Sequence, residues 1–219
     1  MNPEMQTTAT YRWEEISKVP QEPGIYSWYY SPEITDKDLG DAIAHVRNMV
    51  SEDKTSEAKA YLIGFLDRFV FGYFKEDPYN VLINGALKPQ YKGVVHHSSQ
   101  SSQALISRLI EQPERLATIK QVLEEAAPNF SSPIYIGMAD KLGKRLKEHK
   151  KLIEKYREEK VLKPVVDTED HNFAKQICDR NIPPACLFVI VKTIQTTEKN
   201  YVDAENILNR INYPILGRN

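Results

Sequence analysis

The chain has 219 residues, 41% of them hydrophobic and 27% charged, a balance that fits one large globular domain or two small ones and argues against disordered or fibrous classes. A net charge of −1 excludes a uniformly basic nucleic-acid binder, so any phosphate-binding surface has to be local. The two cysteines, Cys178 and Cys186, lack zinc-type spacing, the start at 1–10 shows no signal pattern, and no apolar run is long enough for a membrane span; a reduced, cytoplasmic, membrane-free protein is expected.

Gly24 to Tyr30 (GIYSWYY) is aromatic and β-branched, bounded by prolines at 20, 23 and 32, and is predicted as a strand. Helical spacing follows over 38–51 with Asp38 as cap, then a longer helix over 56–75 that is apolar on most sides from Tyr61 to Phe74. That apolar stretch is expected to be a buried helix or a dimer contact. The segment 79–103 is the least regular, with short apolar runs at 81–83 and 91–96. Its paired His96 and His97 would point opposite ways on a strand and so are poor candidates for one metal. Residues 102–126 read as helix broken at Pro113, and 128–132 as a turn.

A second strand is predicted at 134–137. Next comes a strong helix over 141–160, with Leu142, Leu146, Leu152, Ile153 and Tyr156 as its inner face. A short helix at 172–179 precedes the best strand of the chain, 187–194, whose unbroken apolar run suggests a central, two-sided position. A last helix covers 202–211. This order gives an α+β fold. The flanking strands can pair across the helical stretch because closing a long loop costs little more than closing a medium one. The expected organisation is a discontinuous core, 1–30 with 133–219, carrying a mainly helical insertion of about a hundred residues at 31–132.

Phosphodiester hydrolysis needs a cation, a group that positions or deprotonates water, and positive charge for the developing phosphorane. Arg145 and His149, four apart on one helix, share a face. The planar guanidinium suits non-bridging phosphate oxygens, and the imidazole can relay a proton near neutral pH. Alone, the pair would read as a solvated helix face. Lys141, Lys144, Lys147, Lys150 and Lys151 make this helix the best local DNA-facing surface. Glu205, on the last helix, can anchor Mg²⁺ or Mn²⁺ if water and substrate oxygens complete the shell. Tyr26 and Tyr135, on strands that can pair, could converge on one water or one phosphate.

Taken together, Pro23-Gly24-Ile25-Tyr26, Tyr135-Ile136-Gly137, Arg145 eight residues on, His149 four further, helix-borne Glu205 and terminal Asn219 resemble the GIY-YIG nuclease family. The resemblance covers somewhat under half of the chain. Here more than a hundred residues separate the two tripeptides. It implies a three-stranded antiparallel sheet flanked by helices and single-metal hydrolysis of DNA. Tyr26 would be the general base or its positioner. Tyr135 and His149 would be polar partners, and Arg145 the phosphate stabiliser. Glu205 would be the metal ligand, and Asn219 an orienting group with Asn212 as the alternative. An endonuclease of restriction or anti-phage type is the leading expectation, with a homodimer or sequential nicking as the ways to cut both strands. A structure-selective repair nuclease and a non-catalytic nucleic-acid-binding module are the alternatives.

Overall fold

The protein is represented by a computed structural model that describes residues 8–74, 76, 78–85, 90–97, 101–162, 172–194 and 201–217. Its elements are β1 (Thr8–Arg12), a 3₁₀ helix (Trp13–Lys18), β2 (Gly24–Tyr30), α1 (Asp36–Ser51), α2 (Thr55–Leu66), β3 (Tyr79–Ile83), β4 (Tyr91–Val95), α3 (Gln103–Glu111), α4 (Arg115–Phe130), β5 (Tyr135–Ala139), α5 (Leu142–Leu162), α6 (Phe173–Asp179), β6 (Leu187–Thr193) and α7 (Tyr201–Asn212). The fold is α+β. The chain divides into two compact units, 1–32 with 123–219, and 33–122.

In the first unit the strands run β1-β6-β2-β5, all antiparallel. The expected sheet of three strands is therefore one short. β6 is apolar from Leu187 to Val191 and buried along most of its length, and it presents two edges. β2 covers one, and β1 satisfies the N–H and C=O groups of the other. The sequence TATYR hides this role because an edge strand alternates only between exposed and half-exposed. The pairing of β2 with β5 spans the long separation between the two tripeptides and sets Tyr26 opposite Gly137.

Gly24 is required by a close approach: a Cβ there would run into the Lys192 carbonyl of β6 and the Leu142 side chain. The loop before β2 also fixes the start of α5. Two of the unpaired N–H groups of that helix, on Leu142 and Gly143, donate to the carbonyls of Glu22 (3.0 Å) and Pro20 (2.9 Å). Residues one and two turns further along α5 are thereby aimed at β2. The buried stripe of α5 is Leu142, Leu146, His149 and Ile153, with α6 packed alongside. Leu152, expected inside, is 37% exposed.

The second unit buries Ala42, Val46, Ala58, Leu62, Phe65, Ile106, Leu109 and Leu116 among α1 to α4. Thr35, not Asp38, caps α1: its Oγ1 accepts from the Asp38 N–H at 3.0 Å. The long helix expected over 56–75 is not continuous. After Leu66 it widens to a π turn at Asp67–Phe71 and tightens to 3₁₀ at Gly72–Phe74. β3 and β4 pair as a two-stranded sheet of their own. Helix α4 runs on to Phe130, through residues expected as a turn. No helix among the described residues is long and apolar enough to cross a membrane.

Candidate active site

Alternation along β2 puts Tyr26, Trp28 and Tyr30 on one face, and the register brings Gly137 and Tyr135 of β5 onto the same face. The Tyr26 ring lies directly over Gly137. A Cβ at 137 would sit 2.6 Å from Tyr26 Cζ and its hydroxyl oxygen, and 3.0 Å from Tyr135 Cε1. The glycine of YIG is thus the space occupied by the tyrosine of GIY.

Helix α5 crosses this face. The Tyr26 hydroxyl and His149 Nε2 are hydrogen-bonded at 2.8 Å, with the donor set by the imidazole tautomer. The His149 ring, 5% exposed, meets Phe173 edge-on at 5.1 Å, with Tyr26 at 5.7 Å and Tyr135 at 5.9 Å between centroids. Tyr135 in turn packs on Phe173 at 4.7 Å. The Arg145 guanidinium, half-buried, favours the ionised form of the Tyr26 phenol, and approaches Glu148 at 3.7 Å.

These surroundings set the protonation states. Burial pushes the Tyr26 phenol well above its ordinary value, Tyr135 adds to the rise, and Arg145 opposes it. Burial, reinforced by the Arg145 charge, drives His149 down to about 3. At neutral pH the pair is an un-ionised phenol against a neutral imidazole. His149 is therefore not the solvent-facing relay near neutral pH that its lysine-rich neighbourhood suggests; it is part of the seam between α5 and the sheet.

A consequence for stability follows. In the unfolded chain His149 takes up a proton near pH 6.5, but in the folded protein it does so only near pH 3. Between those values the unfolded state binds more protons. Stability conferred by the neutral imidazole is complete above about pH 6.5 and is lost as pH falls toward 3, at up to ~1.4 kcal/mol per pH unit. His149→Gln is expected to flatten this part of the profile. Urea unfolding at pH 7, 5 and 4 measures it, and equal slopes for parent and variant would contradict the burial of a neutral ring.

The other expected site residues distribute as follows. Glu205 lies on α7, whose Tyr201, Ala204 and Leu208 pack with Ile25 and Ile136. Those two residues alternate with Tyr26 and Tyr135, so α7 covers the opposite face of the sheet. Among the described residues the Glu205 carboxylate accepts from Asn209 Nδ2 at 3.0 Å and makes no hydrogen bond to the four clustered side chains. Tyr201 anchors the start of α7 through a hydrogen bond from its hydroxyl to Asp140, just after β5. Asn212 donates to the Leu208 carbonyl at 2.9 Å. Asn219 lies outside the described residues, as does His171. Leu216 donates to the carbonyl of Ile134 (2.8 Å), immediately before Tyr135.

Of the lysines on or beside α5, Lys141, Lys144, Lys147 and Lys151 are exposed. Lys150 turns inward: it donates to the Trp13 carbonyl at 3.1 Å and sits 5.0 Å above the Trp13 ring. Trp28 and Phe173, which no motif marks, build the aromatic wall around His149. Period-2 alternation from Tyr26 was the available signal for Trp28; nothing local marked Phe173.

Among the described residues no three His, Cys, Asp or Glu side chains converge as a metal-holding group. A half-buried carboxylate steered by an amide, as at Glu205, fits a hard divalent cation that keeps most of its waters, and does not fit a closed protein cage. Cys178 and Cys186 are buried, and no disulfide joins them. His97 accepts from the Glu76 N–H at 3.4 Å, and His45 packs on Tyr61 at 4.5 Å.

No protein-family model, curated protein or solved structure matches this chain. The GIY-YIG resemblance rests on the residues themselves.

Proposed function

We propose that the protein is a metal-dependent endonuclease that hydrolyses DNA phosphodiester bonds, of restriction or anti-phage type. The observation that carries this reading is the meeting of Tyr26, Tyr135, Arg145 and His149 on one face, brought together from β2 and, more than a hundred residues further along the chain, from β5 and α5. Arg145, the half-exposed member, takes the non-bridging oxygens and balances the charge of the phosphorane. His149 holds the Tyr26 hydroxyl in one orientation, and that oxygen positions the attacking water. The water oxygen bonds to phosphorus as the P–O bond on the far side breaks, the water giving up a proton to solvent and the departing oxygen taking one from solvent. Lys144, Lys147 and Lys151 extend the positive surface along the duplex backbone. By the resemblance, Glu205 would hold Mg²⁺ or Mn²⁺, and the cation would supply Lewis-acid polarisation of a phosphoryl oxygen. The division into a nuclease core, 1–30 with 133–219, and an insertion, 31–132, belongs to the same reading.

Glu205→Ala is expected to abolish Mg²⁺-supported cleavage while DNA affinity measured in EDTA stays within about twofold, because the residue acts through the cation. Plasmid cleavage and fluorescence anisotropy give the two readouts. A variant that cuts like the parent sinks the metal assignment.

One observation favours a second reading, a nucleic-acid-binding module without chemistry: α7 carries Glu205 against the face opposite Tyr26. Under that reading tight binding persists and no divalent cation supports cleavage.

A further inference from the structure

The β3–β4 hairpin has two faces of different character. Directly opposed residues share a face, so one carries Tyr79 with Val95, Val81 with Gly93, and Ile83 with Tyr91. It has no charge and no polar side chain beyond two tyrosine hydroxyls. The other face carries Asn80, Leu82, Lys92 and Val94, and Lys92 is the one charged residue of the two strands. All ten positions are exposed, with Ile83 at 61%, Tyr91 at 58% and Val95 at 55%. A two-stranded sheet exposed on both faces is marginally stable in water, and a contiguous apolar face of this kind marks an interaction surface.

We propose that this face pairs with the same face on a second copy of the chain. The face carries no cation to neutralise a polyanionic backbone, and two tyrosine hydroxyls are its only polar side-chain groups, which disfavours nucleic acid as its occupant. It offers no charge complementarity to an acidic or basic protein either. It does complement itself. A Cβ added to Gly93 would meet nothing within 4 Å, so the centre of the face is an open dip between two tyrosine-bearing ends. A two-fold axis can place a tyrosine ring of the second copy in that dip. At their observed exposures the five side chains present on the order of 500 Å², with whole aromatic side chains counted at 150–250 Å². Two such faces together bury about 1,000 Å², the area a specific interface has to reach.

The proposal is independent of the catalytic assignment. The test is the mass of the intact protein by light scattering and sedimentation velocity at micromolar concentration, without DNA or metal. The parent is expected at twice the mass of one chain. Ile83→Asp and Tyr91→Ser are each expected to weaken association at least about tenfold, with far-UV circular dichroism unchanged. Lys92→Glu, on the opposite face, leaves the dimer intact. A monomeric parent overturns the proposal, including one whose Ile83→Asp variant loses DNA affinity instead. So does a dimer that neither Ile83→Asp nor Tyr91→Ser weakens. A monomer that cuts DNA would overturn only the dimer, and a dimer that cuts nothing would overturn only the nuclease.

Discussion

Arg145→Ala is expected to lower kcat for DNA cleavage by about 10²–10³-fold, the usual loss when one pre-placed donor to a developing oxyanion is removed. Stability should barely change. The side chain is half-exposed, and its approach to Glu148 at 3.7 Å is a surface ion pair worth ~0–1 kcal/mol at most. Arg145→Lys keeps the charge but loses the fork, so it should recover only part of the rate. A second readout separates this role from a structural one. Arg145 is the charge that helps hold His149 un-ionised, so removing it should raise the His149 pKa, visible in the imidazole NMR titration. A variant that cuts at the parental rate would remove Arg145 from the site, whatever the titration shows.

Gly137→Ala is expected to be strongly disruptive for a one-methyl change. The new Cβ would lie 2.6 Å from the Tyr26 ring end, and that ring cannot retreat: it is 1% exposed and tied at its hydroxyl to His149. Overpacking of this kind costs about 1–3 kcal/mol, and loss of the Tyr26–His149 hydrogen bond adds about 1 kcal/mol. Gly64→Ala in α2 is the counterpart. A Cβ there meets nothing within 4 Å, and helix propensity favours alanine by about 1 kcal/mol. Urea midpoints should move in opposite directions for the two variants. Equal stability of Gly137→Ala and the parent would mean that Tyr26 does not lie over residue 137.

Much of the scaffold was legible because it is written in periodicity. The aromatic run at 24–30, the apolar run at 187–191 and the leucines of α5 each announce their element, and the slow growth of loop-closure cost permits the pairing of β2 with β5. β1 was not legible, because an edge strand with one weak face leaves little alternation to read. Nor was the setting of His149. Four residues from an arginine and surrounded by lysines, it looks solvated, yet it occupies the inward position between Leu146 and Ile153. Lys150 was misplaced for a related reason: a long cationic side chain on a basic helix reads as phosphate-facing until Trp13 is seen beneath it. The need for glycine at 24 and 137 is a matter of strand-to-strand and ring-to-backbone distance, which no local pattern encodes. Glu205 shows the same limit. Its helix is plain in the sequence, but the face of the sheet that the helix covers is decided by Ile25 and Ile136.

The most direct test of the central claim is cleavage of supercoiled plasmid DNA by the purified parent chain with Mg²⁺ or Mn²⁺, followed over time on agarose. Nicked and then linear DNA should appear, stop on addition of EDTA, and be absent with Arg145→Ala. Plasmid that stays supercoiled with either cation, while the protein still binds it, would contradict the nuclease assignment and leave the four-residue cluster as a packed core beneath a binding surface.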